Sequence, residues 1–221
     1  MKKPEIRVLF FDFGNVCATY EFERFIRSFS AHTGIPEHLV LSTLNEGINT
    51  GVHYSPLFLD LESGKISPHQ FFHQLTAILD CADRIDYETF ARLWVDIFLE
   101  ENTALDTLLS LLPQKKYLLS NTNHIVHARY IAECGIIRRH FPFYGDRVLS
   151  YEVGAVKPEI KIWDSAFARA NVQPEQAVFI DDLPANIAGW RARGGHGIVY
   201  NAHIHSIEYL TTELQKFGIM P

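Results

Sequence analysis

The strongest constraint in this chain is a recurring pattern, a short and nearly unbroken apolar run that stops at a residue able to do chemistry. Ile6 to Phe11 is interrupted only by Arg7 and stops at Asp12. Tyr117 to Leu119 stops at Ser120, Ala177 to Ile180 stops at the pair Asp181 and Asp182, and Ile198 to Tyr200 completes the series. Apolar runs of this length that do not alternate with polar residues are buried on both faces, which is the habit of strands inside parallel sheets. Helical spacing separates the runs, so the expected fold is α/β with a doubly wound parallel sheet. In such a sheet the carboxyl ends of the strands form the ligand crevice. That crevice would gather Asp12, Ser120, Asp181 and Asp182, joined by Lys157 from the turn Gly154-Ala155-Val156-Lys157-Pro158.

Between Thr19 and about Leu112 the texture changes. Phe22, Phe25, Ile26 and Phe29 fall at helical spacing. Phe71, Phe72, Leu75 and Ile78 follow the start signal Ser67-Pro68, a side-chain cap with proline at the first helical position. Leu93, Trp94, Ile97 and Phe98 continue the theme, so the segment reads as an all-helical insert. With 221 residues, one core domain with a modest insert is the expected organisation. A hydrophobic share of 47% is enough for a packed core and sets disorder aside. The net charge of -6 argues against a nucleic-acid partner, whose phosphates demand clustered Lys and Arg. No apolar stretch reaches the ~20 residues that span a bilayer, so no membrane partner is expected. Three separated cysteines, Cys17, Cys81 and Cys134, form neither a disulfide framework nor a zinc knuckle, and a reducing cytoplasm is the expected location.

Three carboxylates converging without a cation would repel one another and raise their pKa values. Oxygen-only donors, few in number and completed by water and a substrate phosphate, suit Mg²⁺. With that charge and Lys157 against the phosphate, Asp12 can approach phosphorus as a nucleophile, and unlike serine it needs no base at neutral pH. Ser120 and the amides beside it, including that of Asn121, would donate to the transferring phosphoryl group.

Taken in order, Phe11-Asp12-Phe13-Gly14-Asn15-Val16, Leu119-Ser120-Asn121-Thr122-Asn123, Val156-Lys157-Pro158-Glu159 and Phe179-Ile180-Asp181-Asp182 resemble the motifs of the haloacid dehalogenase-like (HAD) hydrolase superfamily. The resemblance is to the subgroup with a helical cap between the first and second motifs, which includes sugar-phosphate and small-metabolite phosphatases. It implies a Rossmann-like core at 1–18 and 97–221 and a cap at 19–96, with Asn102 to Leu112 returning to the core as a helix. It implies Asp12 as nucleophile and metal ligand, the Gly14 carbonyl as second ligand, Asp182 as the main acidic ligand and Asp181 as an assistant. Ser120, Asn121 and Lys157 would bind phosphate, and Asn186 would orient the last loop. The expected substrate is a small phosphorylated metabolite such as a sugar phosphate, and the expected assembly is a monomer or homodimer. One departure stands out: phosphatases of this family place a second Asp two residues after the nucleophile as general acid, and this chain has Gly14. A good leaving group, a donor such as His53, Tyr54 or Tyr20, or a catalytically weak binding member would each account for it.

Several plainer readings stand beside these. Ser120 could cap the following helix, Lys157 could be a solvated loop lysine, and Asp181-Asp182 could cap the helix through Asn186 and Ile187. The 11 histidines show no HExxH or finger spacing and read as scattered surface residues, His124 with His127 and His203 with His205 included. Gly64-Lys65-Ile66-Ser67 resembles a phosphate loop, but Leu59 stands in place of its first glycine and no strand precedes it. A receiver domain also combines a phosphorylatable Asp, an acidic pair and a Lys, but its acidic pair follows the first strand. A hydrolytic dehalogenase lacks the acidic pair.

Overall fold

The computed structural model describes residues 5–45 and 55–220. Its described residues form seven strands: β1 (Val8–Phe11), β2 (Ala18–Tyr20), β3 (Phe98–Glu101), β4 (Lys115–Ser120), β5 (Arg147–Leu149), β6 (Ala177–Asp181) and β7 (His196–Val199). Five of them make one sheet in the order β5-β4-β1-β6-β7, and every pairing in it is parallel. The strands are in phase. Val8, Phe10, Tyr117, Leu119, Ala177 and Phe179 point to one face, where Trp163, Phe167 and Trp190 cover them. Leu9, Phe11, Leu118, Val178 and Ile180 point to the other, under Leu105, Leu108, Leu109, Leu210 and Leu214. Each fully covered side chain of this size contributes about 1.5–3 kcal/mol, and alternate residues of one apolar run stabilise both layers at once.

The chain runs outward from β1 to β4 and β5, then crosses back to β6 and β7 on the other side of β1. The strand order therefore reverses between β1 and β6, where open α/β sheets place their ligands. β5 was not expected from the sequence. It is three residues long and begins with Arg147, whose charge disguises a buried edge strand. The Arg147 guanidinium is satisfied by donating to the Phe141 carbonyl at 3.0 Å.

Between β2 and β3 the described residues are helical, with helices Phe22–Thr33, Glu37–Leu44, Pro56–Glu62, Pro68–Ile78 and Tyr87–Val95. Local chemistry explains their ends. Ser67 and Gln70 form a reciprocal capping box, Asp86 accepts the Thr89 N–H at 2.7 Å, and Gly34 closes the first helix at φ 75°. Phe25, Phe29, Phe71, Phe90 and Trp94 pack into one aromatic cluster, so most of the aromatic texture is cap core. Ile78 departs from the expected pattern, since it ends its helix 62% exposed. Ile97 lies beyond the helix and Phe98 opens β3, which pairs antiparallel with β2 where the chain enters and leaves the cap. Thr103–Leu111 is the helix that returns the chain to the sheet, capped by Asn102.

Gly64 does more than the discarded phosphate-loop reading suggests. It has φ 68°, and a Cβ there would lie 2.1 Å from the Tyr151 carbonyl oxygen. Only glycine permits this approach between the end of helix Pro56–Glu62 and the core helix Ser150–Val153.

Candidate active site

Asp12 leaves the end of β1, and its own N–H still donates to Ile180 at 2.9 Å, so the sheet ladder aims its side chain into the crevice. One carboxylate oxygen, Oδ1, accepts the Phe13 N–H at 2.7 Å and faces the Lys157 ammonium at 2.8 Å. Oδ2 has no hydrogen-bond partner among the described residues, which leaves it available to a ligand.

Lys157 is buried, contrary to the solvated-loop reading. Its three N–H groups are used on Asp12, on Asp181 at 2.7 Å and on the Leu119 carbonyl at 3.1 Å. Asn121 holds the lysine's main chain from both sides, accepting the Lys157 N–H at 2.7 Å and donating to the Lys157 carbonyl at 3.1 Å. The Asn121 side chain is thereby committed to shaping the turn. Ser120 is buried beside Asp12, with its hydroxyl 3.2 Å from the Asn121 carbonyl. It does not cap the next helix; Asn123 does, accepting from Ile125 and Val126.

The two acidic residues after β6 divide their labour. Asp181 is fully buried, and both its oxygens are occupied by Lys157, by the Asn186 amide at 2.9 and 3.1 Å and by the Leu183 N–H at 2.8 Å. Asp182 is half-buried and held by the Asn15 amide at 3.0 Å. Asn15 can hold it because its backbone sits at φ 54°, a conformation asparagine tolerates better than most residues.

Asp12, Asp181 and Asp182 each present a carboxylate oxygen within 4.8 Å of the others. Burial, the largest influence, pushes the Asp12 carboxyl up to about 8, with Lys157 opposing and the charges of Asp181 and Asp182 adding to the rise. Burial and the Asp181 charge raise Asp182 as well, against the Asn15 hydrogen bond. Burial opposes the charge on Lys157, but Asp12 and Asp181 outweigh it and raise its pKa. Both partners of the Asp12–Lys157 pair are thus raised, which a simple ion pair would not show. Burial is the first reason for Asp12, and charge adds to it: with all three carboxylates ionised, one ammonium leaves two negative charges unbalanced. A hard divalent cation would supply the missing charge, and all-oxygen donors fit one.

Gly14 lies beneath the ring of Tyr20. A Cβ at residue 14 would stand 2.7 Å from Tyr20 Cε1 and 3.2 Å from Cδ1. The place where a side chain would project is filled by a phenol ring, which itself packs near Phe98 at 6.1 Å between centroids. His53 and Tyr54 lie outside the described residues.

These groups line a cavity of about 370 Å³ that reaches from Asp12, Ser120, Lys157 and Asp182 to the cap residues Tyr20, Phe22, Phe58, Glu62 and Trp94. Small-molecule sites begin at about this size. Glu62, Asn15, Asn123 and Ser150 escaped the sequence reading. Asn15 and Asn123 stand inside recognised motifs without an evident task, Ser150 follows the disguised strand, and Glu62 is one acidic residue in an amphipathic helix. His127 is also corrected: it is buried, within 3.1 Å of the Tyr151 hydroxyl, and burial lowers its pKa.

A doubly wound parallel sheet with a helical cap, and an acidic crevice at its switch point, defines a class of hydrolytic enzymes that pair clustered carboxylates with a divalent cation. The chain is similar to proteins of the HAD-like hydrolase superfamily. It is 29% identical over 186 residues to a D-ribitol-5-phosphate phosphatase of Bacteroides thetaiotaomicron, covering 82% of this chain and 85% of the relative. A predicted HAD-like family hydrolase of Porphyromonas gingivalis superposes with a TM-score of 0.77 at 27% identity, covering 96% of this chain and 99% of that one. A HAD-family enzyme of Bacteroides thetaiotaomicron, solved as a magnesium complex, gives 0.72 at 25% identity, covering 94% and 98%. No family model matches the chain.

Proposed function

We propose that this chain is a magnesium-dependent phosphatase of a small phosphorylated metabolite, a sugar or polyol phosphate, working through a phosphoaspartyl intermediate on Asp12. The observation that carries the reading is the charge imbalance: three carboxylates converge at the ends of β1 and β6 around one ammonium, Lys157, which pairs with two of them. The magnesium complex of a similar solved structure supports the metal, and a curated relative named as a D-ribitol-5-phosphate phosphatase supports the substrate class.

Asp12, the Gly14 carbonyl and Asp182 would hold Mg²⁺, which when bound lends positive charge to the phosphoryl oxygens. Asp181, with both oxygens already engaged, fixes Lys157 and the loop in place. Oδ2 of Asp12 attacks phosphorus while Lys157 keeps Oδ1 neutralised, so two anions can approach. Ser120 gives up its 3.2 Å bond to the Asn121 carbonyl and donates to a phosphoryl oxygen. Water then opens the acyl phosphate and frees Asp12. The cap, taken as 19–96, brings Phe22, Phe58 and Trp94 over the cavity, where they exclude bulk water and contact the remainder of the substrate.

Release of inorganic phosphate from an aryl phosphate and a panel of sugar and polyol phosphates, with and without Mg²⁺, tests this. Metal-dependent turnover is expected. A folded protein that binds Mg²⁺ yet releases phosphate from none of them would refute the phosphatase reading and favour a binding role.

A further inference from the structure

A phosphatase must protonate the oxygen that leaves, and the residue two places after the nucleophile cannot do so here. Residue 14 has no side chain, and Tyr20 occupies the space one would need. The donor has to come from elsewhere in the cavity. Among the described residues its titratable lining consists of Asp12, Tyr20, Glu23, Glu62, Lys157 and Asp182. Asp12, Lys157 and Asp182 serve the phosphoryl group and its charge, Tyr20 lies over Gly14, and Glu23 is solvent-exposed. Glu62 differs from all of them. It is 6% exposed, sits at the last position of helix Pro56–Glu62 and enters the cavity from the cap side.

Its placement is built. Oε1 accepts the Asn123 amide at 2.6 Å, and that amide is itself fixed because its oxygen caps the helix at Ile125 and Val126. The Glu62 carbonyl lies 2.6 Å from the Ser150 hydroxyl. Gly64, two residues on, allows the backbone approach to Tyr151 that seats this end of the helix on the core. Oε2 has no hydrogen-bond partner among the described residues, so one oxygen is anchored and the other is left for a ligand. We propose that Glu62 is the general acid of this enzyme, donating the proton from Oε2 to the leaving oxygen in place of the carboxyl absent from residue 14.

The role rests on the phosphatase reading and balances. In the first half, the bond from phosphorus to the leaving oxygen breaks, the bond from phosphorus to Asp12 Oδ2 forms, and the Glu62 proton passes to the departing alcohol. In the second half, water attacks the phosphoaspartyl group, its proton returns to the Glu62 carboxylate, and Asp12 is released. The donor must be able to hold a proton near neutrality. Burial is the largest influence on Glu62 and pushes it up to about 7, with the Asn123 hydrogen bond and the Lys157 charge opposing. Lys157 is the charged group that bears on it; the groups bonded to it from the loop after β4 and from helix Ser150–Val153 are the neutral Asn123 and Ser150. A donor carried by the cap also couples protonation to closure, since leaving-group departure is assisted only when the cap is seated.

Glu62→Gln keeps the size and the acceptor for Asn123 but removes the acid. For a polyol phosphate, whose alkoxide departs poorly, kcat should fall about 10²- to 10⁴-fold. For 4-nitrophenyl phosphate, whose phenolate needs no proton, it should change less than about threefold. Equal losses on both substrates, or no loss on the polyol phosphate, overturn the role. Wild-type protein supplies a second readout that needs no variant: across aryl and alkyl phosphates its rate should depend only weakly on leaving-group basicity, and a steep dependence overturns the proposal. Wild-type protein inactive on every phosphomonoester would instead refute the phosphatase reading itself, and this role with it.

Discussion

Replacing Gly14 by alanine should lower stability, although the backbone argues for the opposite. Gly14 is not among the glycines with positive φ, so alanine meets no backbone strain. An unstrained Gly→Ala change stabilises by about 0.4–1 kcal/mol through the unfolded chain. Here the new Cβ would meet Tyr20 Cε1 at 2.7 Å, whereas carbon atoms rest at about 3.5–4.0 Å. The ring must retreat by about 1 Å, which disturbs its contact with Phe98, an aromatic neighbour worth about 0.5–1.5 kcal/mol. Overpacking of this kind costs about 1–3 kcal/mol. Set against the backbone gain, the net loss for Gly14→Ala comes to between about zero and about 2.6 kcal/mol. Tyr20→Ala carries its own cost, which a double-mutant cycle cancels. In that background Gly14→Ala should turn stabilising, and the coupling should be about 1–3 kcal/mol. Urea denaturation of the four metal-free proteins reads it, provided the m-value holds constant. A stabilising single variant, or losses that simply add, would show that the ring is not packed on residue 14 and remove the steric argument for a donor elsewhere.

Asp12→Asn should abolish phosphate release while leaving the circular dichroism and the metal-free melting temperature at least unchanged, because it removes one of three mutually repelling carboxylates; retained turnover would refute the covalent route. Metal-free stability should fall as pH rises. Asp12 goes from 3.8 unfolded to about 8 folded, so folding takes up a proton in that window, and the contribution is whole below about pH 4 and lost by about pH 8. Asp182 is raised too and acts in the same direction. Mg²⁺ at about 100 times its Kd should add about 2.7 kcal/mol, or about 5–10 °C in Tm for a chain of 221 residues, and the gain should grow from about pH 5 to about pH 8. A flat gain across scanning calorimetry runs would contradict this. Asn186→Ala should cost about 1–3 kcal/mol in chemical denaturation, since Asp181 loses a donor that reaches both of its oxygens.

How much of this was legible in advance varied with the range of the interaction. The apolar runs ending in Asp12, Ser120 and Asp181 announced parallel strands and their polar tips, because burial on both faces writes itself into consecutive residues. Helix starts such as Ser67-Pro68 were readable for the same reason: caps act over three or four positions. The edge strand Arg147–Leu149 was not readable, since its first residue is a charged one whose guanidinium is met by the Phe141 carbonyl once the fold forms. Phe98 was assigned to a helix by its spacing, yet it pairs with Tyr20 across 78 positions of chain.

The division within the site follows the same line. By itself, the order of the motifs determined which residue types would meet at the switch point, and hence the acidic crevice with its lysine. Only the tertiary structure decided how they share the work. Asp181 is consumed by Lys157, Asn186 and Leu183, and Asp182 is left half-buried beside Asn15. Asn121 turns to the Lys157 backbone, Tyr20 covers Gly14, and Glu62 is buried against Asn123. Each of these depends on packing between segments distant in sequence. Burial, which sets the protonation of Asp12 and Glu62, is a property of the assembled walls of the cavity and of no local stretch of chain.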